Sequence, residues 1–181
     1  MGRDKGLIMS GKKVWAEVVR EKFVDLSIPS VLSINCLQKV NYLPYFDEND
    51  LVVDNPNINI QGPVLGLLST HLKFPTEDLF VLACDMISMN ALVLRKLYGE
   101  YQISKPSAIA FKGDRVEPMC AIYSSQGLDN ILRAHQRGAL SKNSMTNVLD
   151  QLDATHISIL DEWRLFFENY NNAEDGKESK S

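Results

Sequence analysis

Three short apolar runs in this chain each end on a residue that can hold a polar ligand. Val31-Leu32-Ser33-Ile34 ends in Asn35, Leu51-Val52-Val53 in Asp54, and Leu79-Phe80-Val81-Leu82-Ala83-Cys84 in Asp85. In open α/β sheets, ligands sit outside the carboxyl ends of the parallel strands, so three such side chains on neighbouring strands would gather at one rim. Singly, each also reads as a residue that starts a turn after a strand. Taken together, with Cys84-Asp85-Met86 on the third, they point to a site. A second signal is Met1-Gly2-Arg3-Asp4-Lys5, where a glycine and basic residues ahead of a helix suit a phosphate through backbone N–H groups and a lysine charge. It is not a Walker loop, which needs Gly-x-x-x-x-Gly-Lys-Ser/Thr.

The elements that must position these residues alternate between two periods. Val14, Val18, Val19, Phe23 and Leu26 recur at helical spacing and predict an amphipathic helix over 14–26, stopped before Pro29. The three apolar runs are continuous rather than alternating, as strands covered on both faces are. Gly62-Pro63 opens a helix from Val64 to Leu72, with proline where it suits a helix start. Asn90 to Tyr98 is again helical. Ala108 to Phe111 and Met119 to Tyr123 flank Lys112-Gly113-Asp114-Arg115 and predict a hairpin. Leu128 to Arg137 and Met145 to Leu152 predict two helices, Gly138 stopping the first. His156 to Leu160 predicts a late strand, and the polar end from Asn171 to Ser181 a frayed tail. This pattern predicts one layered α/β domain over 1–170 with a flexible tail over 171–181.

Composition sets the outer bounds. The chain has 181 residues, 45% hydrophobic and 23% charged, with net charge −4, enough apolar material for one ordinary core. A mildly acidic balance is a poor match for nucleic acid, whose phosphates call for surplus Lys and Arg. No apolar run reaches the ~18 residues of a membrane span. The polar start lacks the apolar stretch of a secretory signal, so a cytoplasmic protein is expected. Cys36, Cys84 and Cys120 are odd in number and lack metal spacing, so reduced thiols are expected. His71 and His135 fall on helices and His156 opens a strand, favouring surface or capping roles. Trp15, Trp163, Phe166 and Phe167 are expected to fill the core or a subunit contact, and Lys12-Lys13 to be a solvated helix start.

These residues, in this order, resemble the molybdenum cofactor guanylyltransferases, a family of Rossmann-like nucleotidyltransferases. Met1-Gly2-Arg3-Asp4-Lys5-Gly6 resembles the end of the signature Leu-x-Gly-Gly-x-Ser-x-Arg-Met-Gly-x-Asp-Lys. Ser33-Ile34-Asn35 resembles a segment ending in a nucleotide-contacting Asn. Asp54-Asn55-Pro56 with Gly62-Pro63-Val64-Leu65-Gly66 resembles the Asp and Gly-Pro-Leu-x-Gly motifs. Leu82-Ala83-Cys84-Asp85-Met86 matches the metal-binding Asp motif, with Ile87 where proline is usual. Glu117 to Tyr123 resembles Glu-Pro-Leu-x-Ala-x-Tyr, and Phe167 to Asp175 the closing Asn-x-Asn-Thr-Pro-Glu-Asp segment without its proline.

The resemblance implies a three-layer Rossmann-like nucleotidyltransferase fold with a mostly parallel central sheet. It implies transfer of GMP from GTP to the terminal phosphate of molybdopterin, giving the guanine dinucleotide cofactor and pyrophosphate. Asp85 would hold Mg²⁺, Lys5 would contact the triphosphate, and Asn35 and Asp54 would contact the nucleotide. Glu117 is a candidate for the pterin-side pocket; a solvated turn residue before Pro118 is the other reading. Implied partners are GTP and molybdopterin, with contacts to other cofactor-biosynthesis proteins or molybdoenzymes, and neither nucleic acid nor membrane. Two other functions stay open: a sister enzyme using CTP or another phosphorylated acceptor, and a catalytically impaired nucleotide- or pterin-binding protein.

One departure bears on that choice. Met1 falls inside the signature, so the family's first strand and Gly-Gly-x-Ser loop, roughly 15 residues, would precede it. The first strand is therefore expected to be absent or truncated. Either the start is misplaced or clipped, or the loop is lacking and catalysis is impaired; the retained Lys5, Asn35, Asp54 and Asp85 favour the former. The in-frame codons upstream of Met1 decide between them.

Overall fold

A computed structural model describes residues 4–140 and 143–168 of the chain. In chain order, a 3₁₀ turn at Lys5–Leu7 leads into β1 (Met9–Ser10), β2 (Lys13–Val14), α1 (Trp15–Val24) and β3 (Leu32–Ile34). Then come α2 (Lys39–Tyr42), a 3₁₀ turn at Glu48–Asp50, β4 (Leu51–Val53), α3 (Pro63–Lys73), β5 (Leu79–Leu82) and α4 (Ala91–Ser104). The remainder is β6 (Ala108–Lys112), β7 (Val116–Tyr123), α5 (Ser125–Gln136), α6 (Met145–Gln151), β8 (Thr155–Ser158) and a 3₁₀ helix at Asp161–Phe167. Met1 to Arg3 and the closing segment from Asn169, with the expected tail, lie outside the described residues. No helix among the described residues is long and apolar enough to cross a membrane. Internal contacts divide the chain into two compact units, one holding residues 4–30, 82–96 and 159–168, the other residues 31–81 and 97–158.

In the first unit β1 and β2 pair antiparallel, with Met9 opposite Val14 and Ser10 opposite Lys13. The turn between them needs Gly11, whose φ is 63°, a left-handed conformation that a Cβ disfavours. This hairpin differs from the solvated helix start expected at Lys12-Lys13. Lys13 lies on β2 and its Nζ pairs with Glu21. The helix α1 begins one residue after the predicted start, where the Glu17 carboxylate accepts the Val14 N–H at 2.7 Å. Trp15, Ala16, Val19 and Phe23 form its buried stripe. Trp15 packs with Ile8 and Ile87. Trp163, Phe166 and Phe167 are only partly covered, so of the four aromatics expected in the core or at a subunit contact, Trp15 alone is a core residue.

In the second unit β3 and β4 pair parallel, in the register Leu32–Leu51, Ser33–Val52, Ile34–Val53. The Asp54 N–H extends this ladder to the Ile34 carbonyl at 2.9 Å. Helix α3 packs on the pair. It starts on Pro63 after Gly62, as predicted, and its Lys73 Nζ donates to the Leu51 carbonyl of β4 at 3.2 Å. A separate four-stranded sheet has the order β5-β7-β6-β8. Within it β6 runs antiparallel to β7, the predicted hairpin, and parallel to β8. Ala108 to Phe111 are buried throughout, which is why this central strand reads as an unbroken apolar run. Val64, Leu67 and Leu68 of α3, Leu128 and Ile131 of α5, and Val148 and Leu149 of α6 build the core against it. The helix predicted from Leu128 begins three residues earlier, at Ser125, because Ser124 caps the Gly127 N–H; Gly138, at φ 67°, follows its end.

Candidate active site

The residues expected to do chemistry fall into two groups, one in each unit. In the first, Lys5 Nζ lies 2.9 Å from Asp85 Oδ2, with the two side chains 36% and 17% exposed. Both are positioned by local structure that the sequence encodes. Asp4 caps the 3₁₀ turn carrying Lys5, its Oδ1 accepting the Gly6 N–H at 3.1 Å. The Trp15 N–H closes on the Ile8 carbonyl at 2.9 Å and anchors the far end of that segment. Asp85 follows β5 in a tight turn that Met86 closes onto the Ala83 carbonyl, and the Met86 side chain is buried. Cys84 beside it is held as a neutral thiol: burial first, then the charges of Asp85 and Asp4, push it up to about 11 against the opposing pull of Lys5. It is a poor nucleophile at neutral pH.

In the second unit, Asn35 and Asp54 stand side by side at the carboxyl ends of β3 and β4 when the parallel register is carried on by one residue. The Asn35 Oδ1 accepts the Leu37 and Gln38 N–H groups at 2.9 and 3.1 Å. Its oxygen therefore does start the turn, and the side-chain N–H₂ is the part left for a ligand. The Asp54 carboxylate, partly exposed, has no hydrogen-bond partner among the described residues, and its desolvation raises its pKa above the usual aspartate value. It lines a cleft of about 480 Å³ with Leu51, Asn55, Ser69, Leu72 and Lys73. Ser69 of α3 fixes this loop by accepting the Asn55 N–H on its Oγ at 2.8 Å.

Glu117 is not the solvated turn residue of the other reading. It lies on β7, half-buried, opposite Phe111 at a large bulge: Ala110 pairs with Ala121 while Phe111 pairs with Glu117. Desolvation raises its carboxyl pKa, and its charge adds to the burial that raises buried Cys120. His71, expected at a surface or cap, is 1% exposed and bonds Asp129 of α5 through Nε2 at 3.0 Å. Sequence reasoning passed over Ser33, exposed on β3 between half-buried Leu32 and buried Ile34. Its signal was the two-residue period that places it on the Asn35 face of the strand.

No group of three or more His, Cys, Asp or Glu with metal-holding geometry occurs among the described residues. A single accessible carboxylate such as Asp85 fits Mg²⁺, which prefers one or two carboxylates and completes its shell with phosphate and water. It does not fit a self-contained structural metal.

The fold has counterparts among solved structures. Molybdopterin-guanine dinucleotide biosynthesis protein A from Archaeoglobus fulgidus is similar with a TM-score of 0.74 and 24% identity, over 98% of this chain and 89% of that one. Bifunctional IspDF from Campylobacter jejuni is similar at 0.62 and 10% identity, over 95% of this chain and 48% of that one. The 2-C-methyl-D-erythritol 4-phosphate cytidylyltransferase from Thermus thermophilus is similar at 0.54 and 10% identity, covering 94% and 89%. These likenesses establish a Rossmann-like nucleotidyltransferase fold. The model of the MobA-like NTP transferase domain matches residues 1–155, a span that contains Lys5, Asn35, Asp54 and Asp85. By that match the chain belongs to the MobA-like NTP transferase domain family, whose members are nucleotidyltransferases.

Proposed function

We propose that this nucleotidyltransferase moves GMP from GTP to the terminal phosphate of molybdopterin, yielding the guanine dinucleotide form of the cofactor and pyrophosphate. The observation that carries the reading is the Lys5–Asp85 pair. It joins the ends of two motifs 80 positions apart into one charged site at 2.9 Å. The named activity of the Archaeoglobus relative supports molybdopterin as acceptor and guanine as base.

In this reaction an oxygen of the acceptor phosphate attacks the α-phosphorus of GTP, and the α–β bridging bond breaks to release pyrophosphate. Negative charge spreads over the phosphoryl oxygens, so catalysis is positioning and electrostatic stabilisation. Lys5 supplies a mobile point charge to the triphosphate. Asp85 would hold Mg²⁺, which when bound neutralises charge on the phosphate oxygens. The Asn35 N–H₂ and the Asp54 carboxylate bind the nucleoside part, the carboxylate accepting from guanine N1–H and N2–H.

The test is pyrophosphate release with Mg²⁺ and molybdopterin across GTP, CTP, ATP and UTP. GTP is expected to be the preferred donor. Faster release with CTP would replace this reading with a cytidylyltransferase, and no release with any of the four would leave a nucleotide- or pterin-binding protein.

A further inference from the structure

The proposed guanine contact at Asp54 leaves a neighbouring group unused. Ser33 interrupts the apolar run of β3, and its side chain is exposed where Ile34 turns inward. Side chains alternate along a strand, and parallel partners in register share a face. Ser33 and Asn35 therefore lie on one face of β3, with Val52 and then Asp54 beside them on β4. This is the face on which α3 packs, at Gly66. A Cβ on Gly66 would lie 2.4 Å from Ser33 Oγ and 3.6 Å from Asp54 Oδ1. The two oxygens thus flank a single point above the helix, and glycine is the residue that leaves both where they are. Neither the Ser33 hydroxyl nor the Asp54 carboxylate has a hydrogen-bond partner among the described residues. A partly desolvated carboxylate beside an uncommitted hydroxyl is an arrangement that gains by receiving donors.

We propose that Ser33 is a further specificity-determining residue for the nucleotide, its Oγ accepting from the exocyclic amine of guanine beside Asp54. The inference rests on the reading of Asp54 as the base contact. Guanine presents N1–H and N2–H₂ along one edge, three donor hydrogens on adjacent atoms. A carboxylate takes N1–H and one N2–H, and the second N2–H then points to an acceptor alongside. Cytosine and adenine place an unprotonated ring nitrogen beside their exocyclic amine, so a lone pair faces the carboxylate where guanine offers N1–H. Ser33 and Asp54 together select guanine, and Gly66 keeps them close.

The experiment is calorimetric titration of the full chain, with Mg²⁺, by GTP and by inosine triphosphate, which lacks the N2 amine. Ser33→Ala, Ser33→Thr and Asp54→Asn are compared with the unmodified chain, and thermal melts verify the fold of each. Ser33→Ala is expected to weaken GTP by about two- to tenfold, the span of one neutral hydrogen bond, and to leave inosine triphosphate unchanged. Ser33→Thr, which retains the hydroxyl, keeps the preference for GTP. If Asp54→Asn weakens GTP while Ser33→Ala weakens neither nucleotide, or both equally, the assignment of Ser33 is wrong and the Asp54 contact stands. If Asp54→Asn leaves GTP affinity unchanged, or the unmodified chain binds no GTP, the base-contact reading falls together with it.

Discussion

Replacing Asp85 by Asn separates the two roles that its ion pair with Lys5 can have. The pair is 2.9 Å long, with its lysine 36% exposed and its carboxylate 17% exposed, so water screens chiefly the lysine end and its worth to folding is on the order of 1 kcal/mol. For a chain of this size, 1 kcal/mol moves the melting temperature by about 2–4 °C. A group that stabilises transition-state charge is worth far more: losing one costs about 100- to 1000-fold in turnover. Asp85→Asn and Lys5→Met should therefore each melt within about 4 °C of the unmodified protein, yet release pyrophosphate from GTP and molybdopterin at least about 100 times more slowly. In the proposed roles both act through the triphosphate, Lys5 directly and Asp85 by way of the Mg²⁺ it would hold, so the double variant should be little worse than either single one. Differential scanning calorimetry and a coupled pyrophosphate assay on the same preparations measure both quantities. Turnover of Asp85→Asn within threefold of the unmodified protein would refute the catalytic assignment. A loss of activity that tracks a large fall in melting temperature would make the pair structural.

Three further outcomes concern buried groups and thiols. The folded state binds the Glu117 proton more tightly than the unfolded chain, because desolvation raises its pKa; stability therefore falls as pH rises through the folded value. Glu117→Gln should melt higher than the unmodified protein at pH 7.5, with the gain vanishing below about pH 4, where the unfolded carboxyl is also protonated. Among the described residues His71 Nδ1 is buried without a partner, and Nε2 depends on Asp129. Asp129→Ala should cost about 1–3 kcal/mol in urea unfolding by stranding that N–H, while His71→Leu, which removes both polar atoms, should cost less. Among the cysteines, exposed Cys36 should be alkylated first at pH 8, ahead of half-buried Cys84 and buried Cys120; peptide mass mapping reads the order, and early labelling of Cys120 would contradict its place in the core.

The strands and helices around Asn35 and Asp54 were legible because each carried a local signal. Continuous apolar runs marked β3 and β4, and Gly62-Pro63 marked the start of α3. The β1–β2 hairpin was not legible, since strands of two residues are too short to show a period. The turn reading of Glu117 fails because Pro118, taken as a turn signal, lies inside β7. A strand proline is confined to edges and bulges, and here the bulge is what admits it. The pairing of Lys5 with Asp85 is a tertiary contact, invisible to any window of sequence; only the family resemblance placed both at one site. Ser33 was absorbed into an apolar run, and its importance emerges only when α3 sets Gly66 against it. Nothing periodic distinguished the partly covered Trp163, Phe166 and Phe167 from buried Trp15.

The contact of Lys73 with the Leu51 carbonyl bears on how this protein behaves when many copies are close together. Strand β4 is three residues long, and an ammonium occupies one of the carbonyls that another molecule's strand would have to engage. Adding a strand there means first displacing a charge and leaving it without its acceptor. Short strands and well-placed lysines are how sheet edges resist recruitment into aggregates. The same helix that holds the Asp54 loop thus acts as a guard on colloidal stability: repacking α3 to alter nucleotide choice, if it moved Lys73, would put solubility at stake before catalysis.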